Sequence, residues 1–267
     1  MTGNGNYSPG QAKAFWAEHL PIIYPMETIN IRYTFTLPDG TKEIFDLKLD
    51  SKTLKLNGGM IENLPSWTRL DFHQCPHCPL NTDSYPNCPL SVNLVNIVER
   101  LGVLISYDKI HVEVSTRERV VSLSTTAQEG ISSLMGLVIA ISECPYTDFL
   151  KPMARFHLPF ANEEETIWRA TSTYLLAQYF LIIKGHRIDL ELNGLTRIYD
   201  NIEKLNASIV KRLRSAGKKD STINALVHLD VFAKYITPGV EESLDKIHHI
   251  FTRFLKKQIA AQHKKPH

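Results

Sequence analysis

Four cysteines, each followed directly by a proline, are the residues of this sequence best suited to chemistry. They are Cys75, Cys78, Cys88 and Cys144, and the prolines are Pro76, Pro79, Pro89 and Pro145. With 14 prolines in 267 residues, coincidence at all four positions is on the order of 1 in 100,000 if positions are independent. Proline forces the preceding residue into extended backbone and removes a nearby N–H donor. Each thiol is therefore held on stiff, non-helical backbone, which suits both a ligand aimed at a fixed centre and a structural corner.

The spacing of the cysteines favours a bound metal. Cys75 and Cys78 form a Cys-x-x-Cys pair, whose sulfurs lie on one side of a tight turn, and Cys88 follows across a polar loop. Cys144 could complete the four-sulfur shell of structural zinc. The same ligands suit an iron–sulfur cluster, where a terminal Cys-Pro pair recurs. His73 or His77 could replace one thiolate in a zinc site. We predict that Cys75, Cys78, Cys88 and Cys144 bind either zinc or an iron–sulfur cluster, in a structural or a redox- or metal-sensing role.

Two other interpretations of the cysteines stay open. Cys75-Pro76-His77-Cys78 also matches the redox-active motif of thioredoxin-like oxidants. In those folds the motif opens a long helix, whereas Pro79 and the later breakers up to Pro86 oppose one here. The thiols could also be inert and buried. Disulfides are disfavoured, because the chain is long and its first residues lack the basic and then apolar layout of a secretory signal.

Alternating apolar residues predict an antiparallel sheet in the first half of the chain. One hairpin runs from residues 29–37 back through 45–49 around the turn Pro38-Asp39-Gly40. Leu54 and Leu56 extend it into a meander with a short third strand. A second hairpin joins residues 110–114 to 120–123.

Helical spacing of apolar residues predicts the remaining elements. A helix begins at Pro89 and stops at Gly102, which places Cys88 at its N-cap, where the helix dipole favours a thiolate. Thr126 and Glu129 form a capping box before a helix that is apolar nearly all round and ends beside Cys144. Further helices are predicted over residues 162–184, 192–213 and 226–236, and from Pro238 onward.

These elements predict an α+β fold. An N-terminal antiparallel β-meander with hairpins would pack with a mainly helical C-terminal bundle around the buried central helix. Residues 1–125 would form a β-rich lobe with the cysteine loop, and residues 126–267 a helical lobe. Because the helix from Thr126 would serve both lobes, we expect one integrated unit.

A second candidate site consists of Arg155, His157 and Arg169, near two proline corners and a helix start. This site gives the protein an alternative function. It could be an enzyme in which His157 acts as acid or base, or a protein that binds a small anion or a cofactor. The competing interpretation pairs the arginines with Glu163–Glu165 and leaves His157 a hydrogen-bonded core residue. The sequence contains no Gly-rich phosphate loop, no Gly-x-Ser-x-Gly elbow and no His-Glu-x-x-His. Whether the protein is an enzyme stays open.

The composition excludes several classes of partner. A net charge of +2 gives no reason to expect nucleic acid or a membrane surface, and the basic run from Lys211 to Lys219 is typical of a solvated helix end. No apolar run approaches the roughly 20 residues of a membrane span, and we expect a soluble, cytoplasmic protein. A third alternative, a protein-interaction module or homo-oligomer with reduced, inert cysteines, would be favoured by an exposed apolar patch on the helical lobe.

Several segments together resemble an uncharacterised bacterial family, a domain of unknown function. They are Cys75-Pro-His-Cys-Pro-Leu, Ser133-Leu-Met-Gly-Leu, Lys151-Pro-Met-Ala-Arg-Phe-His-Leu-Pro-Phe and Glu165-Thr-Ile-Trp-Arg-Ala-Thr-Ser. The resemblance covers most of the chain from about residue 30 onward. It implies a bacterial, cytoplasmic setting and a single unit, and it implies no activity, cofactor or partner.

Overall fold

The computed structural model describes residues 28–57, 63–217, 220–234, 236 and 240–262. Within these residues it contains four strands and seven α-helices, and the fold is α+β. The strands are β1 (Thr28–Thr36), β2 (Lys42–Asp50), β3 (Lys109–Ser115) and β4 (Val120–Thr126). The helices are α1 (Pro89–Leu101), α2 (Ala127–Ala140), α3 (Lys151–Arg155), α4 (Glu163–Ile183), α5 (Asn193–Ser215), α6 (Asp220–Lys234) and α7 (Val240–Gln262). The predicted helix start at Pro238 lies outside the described residues.

The strands form one antiparallel sheet in the order β2-β1-β3-β4. Both predicted hairpins are present, and β1 joins them by pairing with β3, so that Tyr33 lies opposite Val114. Because apolar and polar residues alternate along the strands, the sheet has one buried face, which includes Tyr33 and Phe35. Gly40 adopts a φ of +85° in the first hairpin turn, a conformation that glycine enters without steric cost.

The predicted third strand of the meander is wrong. The chain turns after β2, and only one isolated bridge joins Leu49 to Leu56. The carboxylate of Asp50 accepts hydrogen bonds from the backbone N–H groups of Lys52 and Thr53, at 3.0 and 2.7 Å. Leu54 follows with a φ of +57°. These local bonds satisfy the backbone in a turn, which competes with strand pairing.

The predicted capping box is present: Thr126 and Glu129 make both of its bonds at the start of α2. Asn162 and Glu165 form a second capping box at the start of α4. Nearly every residue of α2 is buried, as its all-round apolar sequence predicted. This helix packs against the sheet, α1 and α6.

The buried apolar residues form two clusters, and α5 contributes to both. The larger cluster unites the sheet, α1 and α2 with Leu205, Ile209 and Leu213 of α5. The smaller cluster joins α4 to Leu195 and Tyr199 in the first half of α5. The larger cluster therefore contains residues of both predicted lobes, 1–125 and 126–267. Among the described residues, no helix has the length and apolar character needed to cross a bilayer.

Candidate cysteine site and ligand cavity

Three of the four cysteines lie on a loop, residues 69–88, whose two ends are held together by backbone hydrogen bonds. The Cys88 N–H donates to the carbonyl of Thr68 at 2.7 Å, and the Leu70 N–H donates to the carbonyl of Pro86 at 3.0 Å. Between these ends the loop has no strand or helix of its own. Its cysteines are half-buried, and no disulfide links them.

The backbone at the cysteines has the geometry that the prolines predicted. Cys88 and Cys144 are extended, with φ/ψ of −70°/117° and −73°/125°. Cys88 is the N-cap of α1, and Cys144 is the N-cap of a 3₁₀ turn over Pro145–Leu150. Within the Cys-x-x-Cys pair, the Cys78 N–H donates to the carbonyl of Cys75 at 3.0 Å, which closes the expected tight turn.

Tyr146 connects the cysteine loop to the corner that carries Cys144. Its hydroxyl donates to the carbonyl of His77 at 2.6 Å, and the two rings are 4.3 Å apart between centroids. The Tyr146 N–H also hydrogen bonds to the thiol of Cys144. As a result, the Cys144 thiol lies within electrostatic range of Cys75, Cys78 and Cys88. The structure thus brings cysteines from distant parts of the chain into one neighbourhood, called here the cysteine site.

Burial favours the protonated form of two of these thiols. It raises the pKa of Cys75, and it raises the pKa of Cys144 to about 12. Repulsion among the neighbouring thiolates acts in the same direction. Four thiolates at this position would therefore require a compensating cation.

A buried arginine supplies part of that positive charge. Arg212 of α5 is 1% exposed, and its guanidinium donates to the backbone carbonyls of Trp67 (2.7 Å), Arg69 and Leu70 (3.4 Å). Burial lowers its pKa, and the charges of Cys88, Cys75 and Cys78 counteract this shift. One turn earlier on α5, the hydroxyl of Ser208 donates to the carbonyl of Lys204 at 2.9 Å and lies near enough to the Cys75 thiol to counteract the rise in its pKa.

Arg212 has no direct ionic partner in the described part of the chain. Asp71 lies within electrostatic range of it but pairs with Arg69 at 2.8 Å, no described carboxylate forms an ion pair with Arg212 itself, and its Nε atom has no hydrogen-bond partner. Burying a guanidinium without a counter-charge is costly. The arrangement therefore favours negative charge at the adjacent thiols.

The side chains are not arranged as a single-ion site. Among the described residues, no group of three or more His, Cys, Asp and Glu side chains could hold a metal ion as placed. His73, one of the alternative ligands, is exposed and adopts a φ of +51°. The ring of His77 packs against Tyr146 at a tilt of 60°.

A separate cavity of about 410 Å³ lies among the helices, at the junction of the two apolar clusters. Its walls come from α2, the segment from Leu150 to Asn162, and helices α4, α5 and α6. None of the four cysteines lines it. Apolar residues such as Leu137, Met153 and Phe232 form most of the surface, and the polar groups include His157 and Arg169.

His157 ends a chain of hydrogen bonds that begins at a backbone amide. The Phe160 N–H donates to Ser133 Oγ at 3.2 Å, Ser133 Oγ is 2.9 Å from Tyr33 Oη, and Tyr33 Oη is 2.5 Å from His157 Nε2. Burial lowers the pKa of His157 to about 3 and raises that of Tyr33. The imidazole is therefore neutral and shares one hydrogen bond with the tyrosine hydroxyl, and Tyr33 anchors this wall of the cavity to the sheet.

The structure brings two of the three residues of the second candidate site to the cavity. Arg169 lines it and donates to the carbonyl of Met153 at 2.7 Å. Arg155 is exposed, and its guanidinium lies 5.5 Å from the ring of Phe156 instead. The predicted pairing with the glutamates is not seen within the described residues, because Glu165 caps α4 and Glu163 pairs with Lys246.

Sequence reasoning missed the residues that act from other elements. Arg212 belongs to the basic run that is typical of a solvated helix end. It nevertheless lies two positions after the apolar Val210 and directly before Leu213. That position on an apolar helix face was the available signal for burial. Tyr199 and Asn206 of the cavity wall, and Tyr33, which hydrogen bonds to His157, carry no comparable signal, since each fits the ordinary pattern of its strand or helix.

The second half of α4 has an exposed apolar face. Leu176, Tyr179, Phe180 and Ile183 are each 52–58% exposed. They recur at intervals of three and four residues, which places them along one side of the helix. This set is called the α4 face below.

Comparison with known proteins gives one match. A family model described as a domain of unknown function, DUF6901, matches residues 31–252. No curated protein and no solved structure matches the chain.

Proposed function

Because the chain belongs to the DUF6901 family, whose description carries no activity, we propose a function from the residues alone: its four cysteines bind an iron–sulfur cluster. The observation that carries the proposal is the buried Arg212, which lies beside three of the thiols without a carboxylate partner among the described residues. Four thiolates around a cluster carry net negative charge, so the guanidinium would supply the missing counter-charge. The reducing cytoplasm is the setting in which we place this protein.

The spacing of the thiols favours a cluster over a single zinc ion. Zn–S bonds of about 2.3 Å require the four sulfurs to be in near contact, and no described side chains are grouped closely enough to hold one ion. In a four-iron cluster each iron takes its own thiolate, so the sulfurs lie further apart than around one zinc ion. Thiols that are within electrostatic range of one another but not in near contact are compatible with a cluster of that kind.

The cluster would have a structural and a sensing role. The loop 69–88 has little regular structure, and a cluster would fasten it to the Cys144 corner and, through Arg212, to α5. An iron–sulfur cluster supplies one-electron chemistry and sensitivity to oxidants. Three of its cysteines are half-buried rather than fully buried, so oxidants and electron donors can approach from the loop side.

Anaerobically purified protein is expected to contain iron and acid-labile sulfide and to absorb in the visible range. Replacing Cys78 with serine should reduce the iron and the sulfide content to background, because one ligand is lost and its neighbours become unpaired thiolates. The measurements are elemental analysis, sulfide determination and the absorption spectrum. Thr82→Ala, an exposed change in the same loop, is the matched control and should retain full iron content.

Three results would count against this proposal in different ways. A colourless protein with one zinc per chain would keep the four-thiolate site and overturn the cluster. A protein free of any metal after anaerobic purification would overturn the site itself. Unchanged iron content in Cys78→Ser would place the iron elsewhere.

The α4 face favours a second candidate function, association with a second copy of this chain. Residues 170–183 contain no charged side chain, so two copies could meet along this helix without like-charge repulsion. Apolar patches of this kind usually mark interaction sites. This candidate is independent of the cysteine site.

The protein is expected to sediment with a mass near twice 30.4 kDa. Phe180→Glu should convert it to a monomer, because two carboxylates would face each other across the apolar contact. Val103→Glu, at another apolar residue that is 62% exposed, is the matched control and should leave the mass unchanged. A monomeric wild-type protein, or a dimer that Phe180→Glu leaves intact, would contradict the proposal.

A further inference from the structure

The cavity among the helices carries an inference that does not depend on the cysteine site. Its volume of about 410 Å³ falls in the range of small-molecule sites, which are typically mostly apolar with a few fixed polar groups. It lies between helices, a common place for ligands in helical bundles. The polar groups of the cavity determine which chemical class of ligand it recognises.

Arg169 is the arginine that lines this cavity. Its guanidinium has one hydrogen bond, to the carbonyl of Met153, and no ion pair within the described residues. Glu165, one turn earlier on α4, lies within electrostatic range, but its carboxylate accepts from the Asn162 N–H and forms no ion pair with Arg169 among the described residues.

Glu129 also lines the cavity, but its carboxylate is occupied by Thr125 Oγ1 and the Thr126 N–H at the start of α2. Burial lowers the pKa of Arg169, which shows that the guanidinium is partly desolvated. The remaining N–H groups are therefore free to bind an anion from the cavity.

Two polar side chains of α5 face the same space without partners. Tyr199 and Asn206 are 4% and 3% exposed, and both line the cavity. No hydrogen bond of either side chain is found among the residues that the structure describes. They lie seven positions apart on α5, so they share one side of the helix. Tyr199 is also within electrostatic range of Arg169. Buried polar groups that lack protein partners are suited to receive a ligand.

We propose that this cavity binds an organic carboxylate with an apolar body. The planar guanidinium of Arg169 matches a carboxylate in the two-bond geometry that arginine favours. The Tyr199 hydroxyl and the Asn206 amide supply further donors, and the apolar walls cover the rest of the ligand. His157 is neutral and already hydrogen bonds to Tyr33, so it presents no second charge to the ligand.

The test uses the purified full-length protein with its native metal content and three probes in titration calorimetry. Octanoate should bind with one site per chain, 1-octanol more weakly by about tenfold or more, and acetate without measurable heat, because both the charge and the apolar body contribute. Arg169→Gln should weaken octanoate about tenfold or more and leave 1-octanol unchanged. Arg155→Gln, which removes an exposed arginine outside the cavity, should bind as the wild type does.

Tyr199→Phe provides a variant that removes only a hydroxyl and keeps the ring in the apolar cluster. It should weaken octanoate severalfold without affecting 1-octanol. The proposal would be overturned if 1-octanol bound as tightly as octanoate, or if octanoate bound a folded Arg169→Gln variant as it binds the wild type. Absence of octanoate binding to the wild type would overturn it as well.

Discussion

Replacing Arg212 with methionine is expected to destabilise the protein by about 3–5 kcal/mol, because three buried backbone carbonyls lose their donor and each unpaired group costs about 1–3 kcal/mol. The guanidinium binds the carbonyls of Trp67, Arg69 and Leu70, and methionine leaves these buried acceptors without a donor. If the cysteine site holds an anionic cluster, the variant also loses the counter-charge. We therefore expect the iron content to fall together with the stability. Urea unfolding of anaerobic protein, followed by circular dichroism, gives the first quantity, and elemental analysis gives the second.

Arg214→Met is the matched control for this prediction. Arg214 lies two positions further along α5 and is exposed, so its replacement should change the unfolding free energy by no more than about 0.5 kcal/mol. An Arg212→Met protein that is as stable as the wild type would contradict the structural role of the guanidinium. A destabilised variant that keeps its full iron content would show that Arg212 has only a structural role. That result would remove the main support for the cluster.

Acidification from pH 6.5 to pH 4.5 is expected to cost the wild-type protein up to about 2 kcal/mol of stability through His157 alone. In the folded protein the pKa of this imidazole is lowered to about 3, mainly by burial and further by the charge of Arg169. In the unfolded chain the imidazole takes up a proton below about pH 6.5. Between these two values the unfolded state binds more protons than the folded state, so stability falls as the pH falls. Burial also lowers the pKa of His228, which adds to the effect in the same direction.

The contribution of His157 is isolated by comparing variants. Glutamine at position 157 can still accept from Tyr33 Oη but does not titrate, so His157→Gln should lose less stability than the wild type over the same pH interval. His111→Gln removes an exposed histidine from β3 and should keep the wild-type dependence. The measurement is the urea unfolding free energy at several pH values. Equal slopes for the wild type and His157→Gln would show that His157 is not held neutral in the fold.

Local features of the sequence were sufficient to predict most of the elements. The alternation around the turn Pro38–Gly40, the capping boxes at Thr126 and Asn162, and the Pro89 and Gly102 boundaries of α1 all act within a few residues. Short-range hydrogen bonds and backbone sterics decide such features, so they can be recognised in one sequence. The error at Leu54 and Leu56 also has a local cause, since the Asp50 carboxylate stabilises a turn where the apolar pattern indicated a strand.

The sequence by itself determined that the Cys-Pro corners at Cys88 and Cys144 are extended, that α2 is buried, and that the fold combines an antiparallel sheet with helices. Only the tertiary structure decided which distant side chains meet. It placed Arg212 beside the cysteines, Tyr146 against His77, and Tyr33 of the sheet on His157. It also separated Arg155 from the cavity while leaving Arg169 in it. The physical reason is that the packing of helices and sheet sets these contacts between residues as far apart as 69 or 124 positions, and spacing along one strand or helix carries no record of that packing.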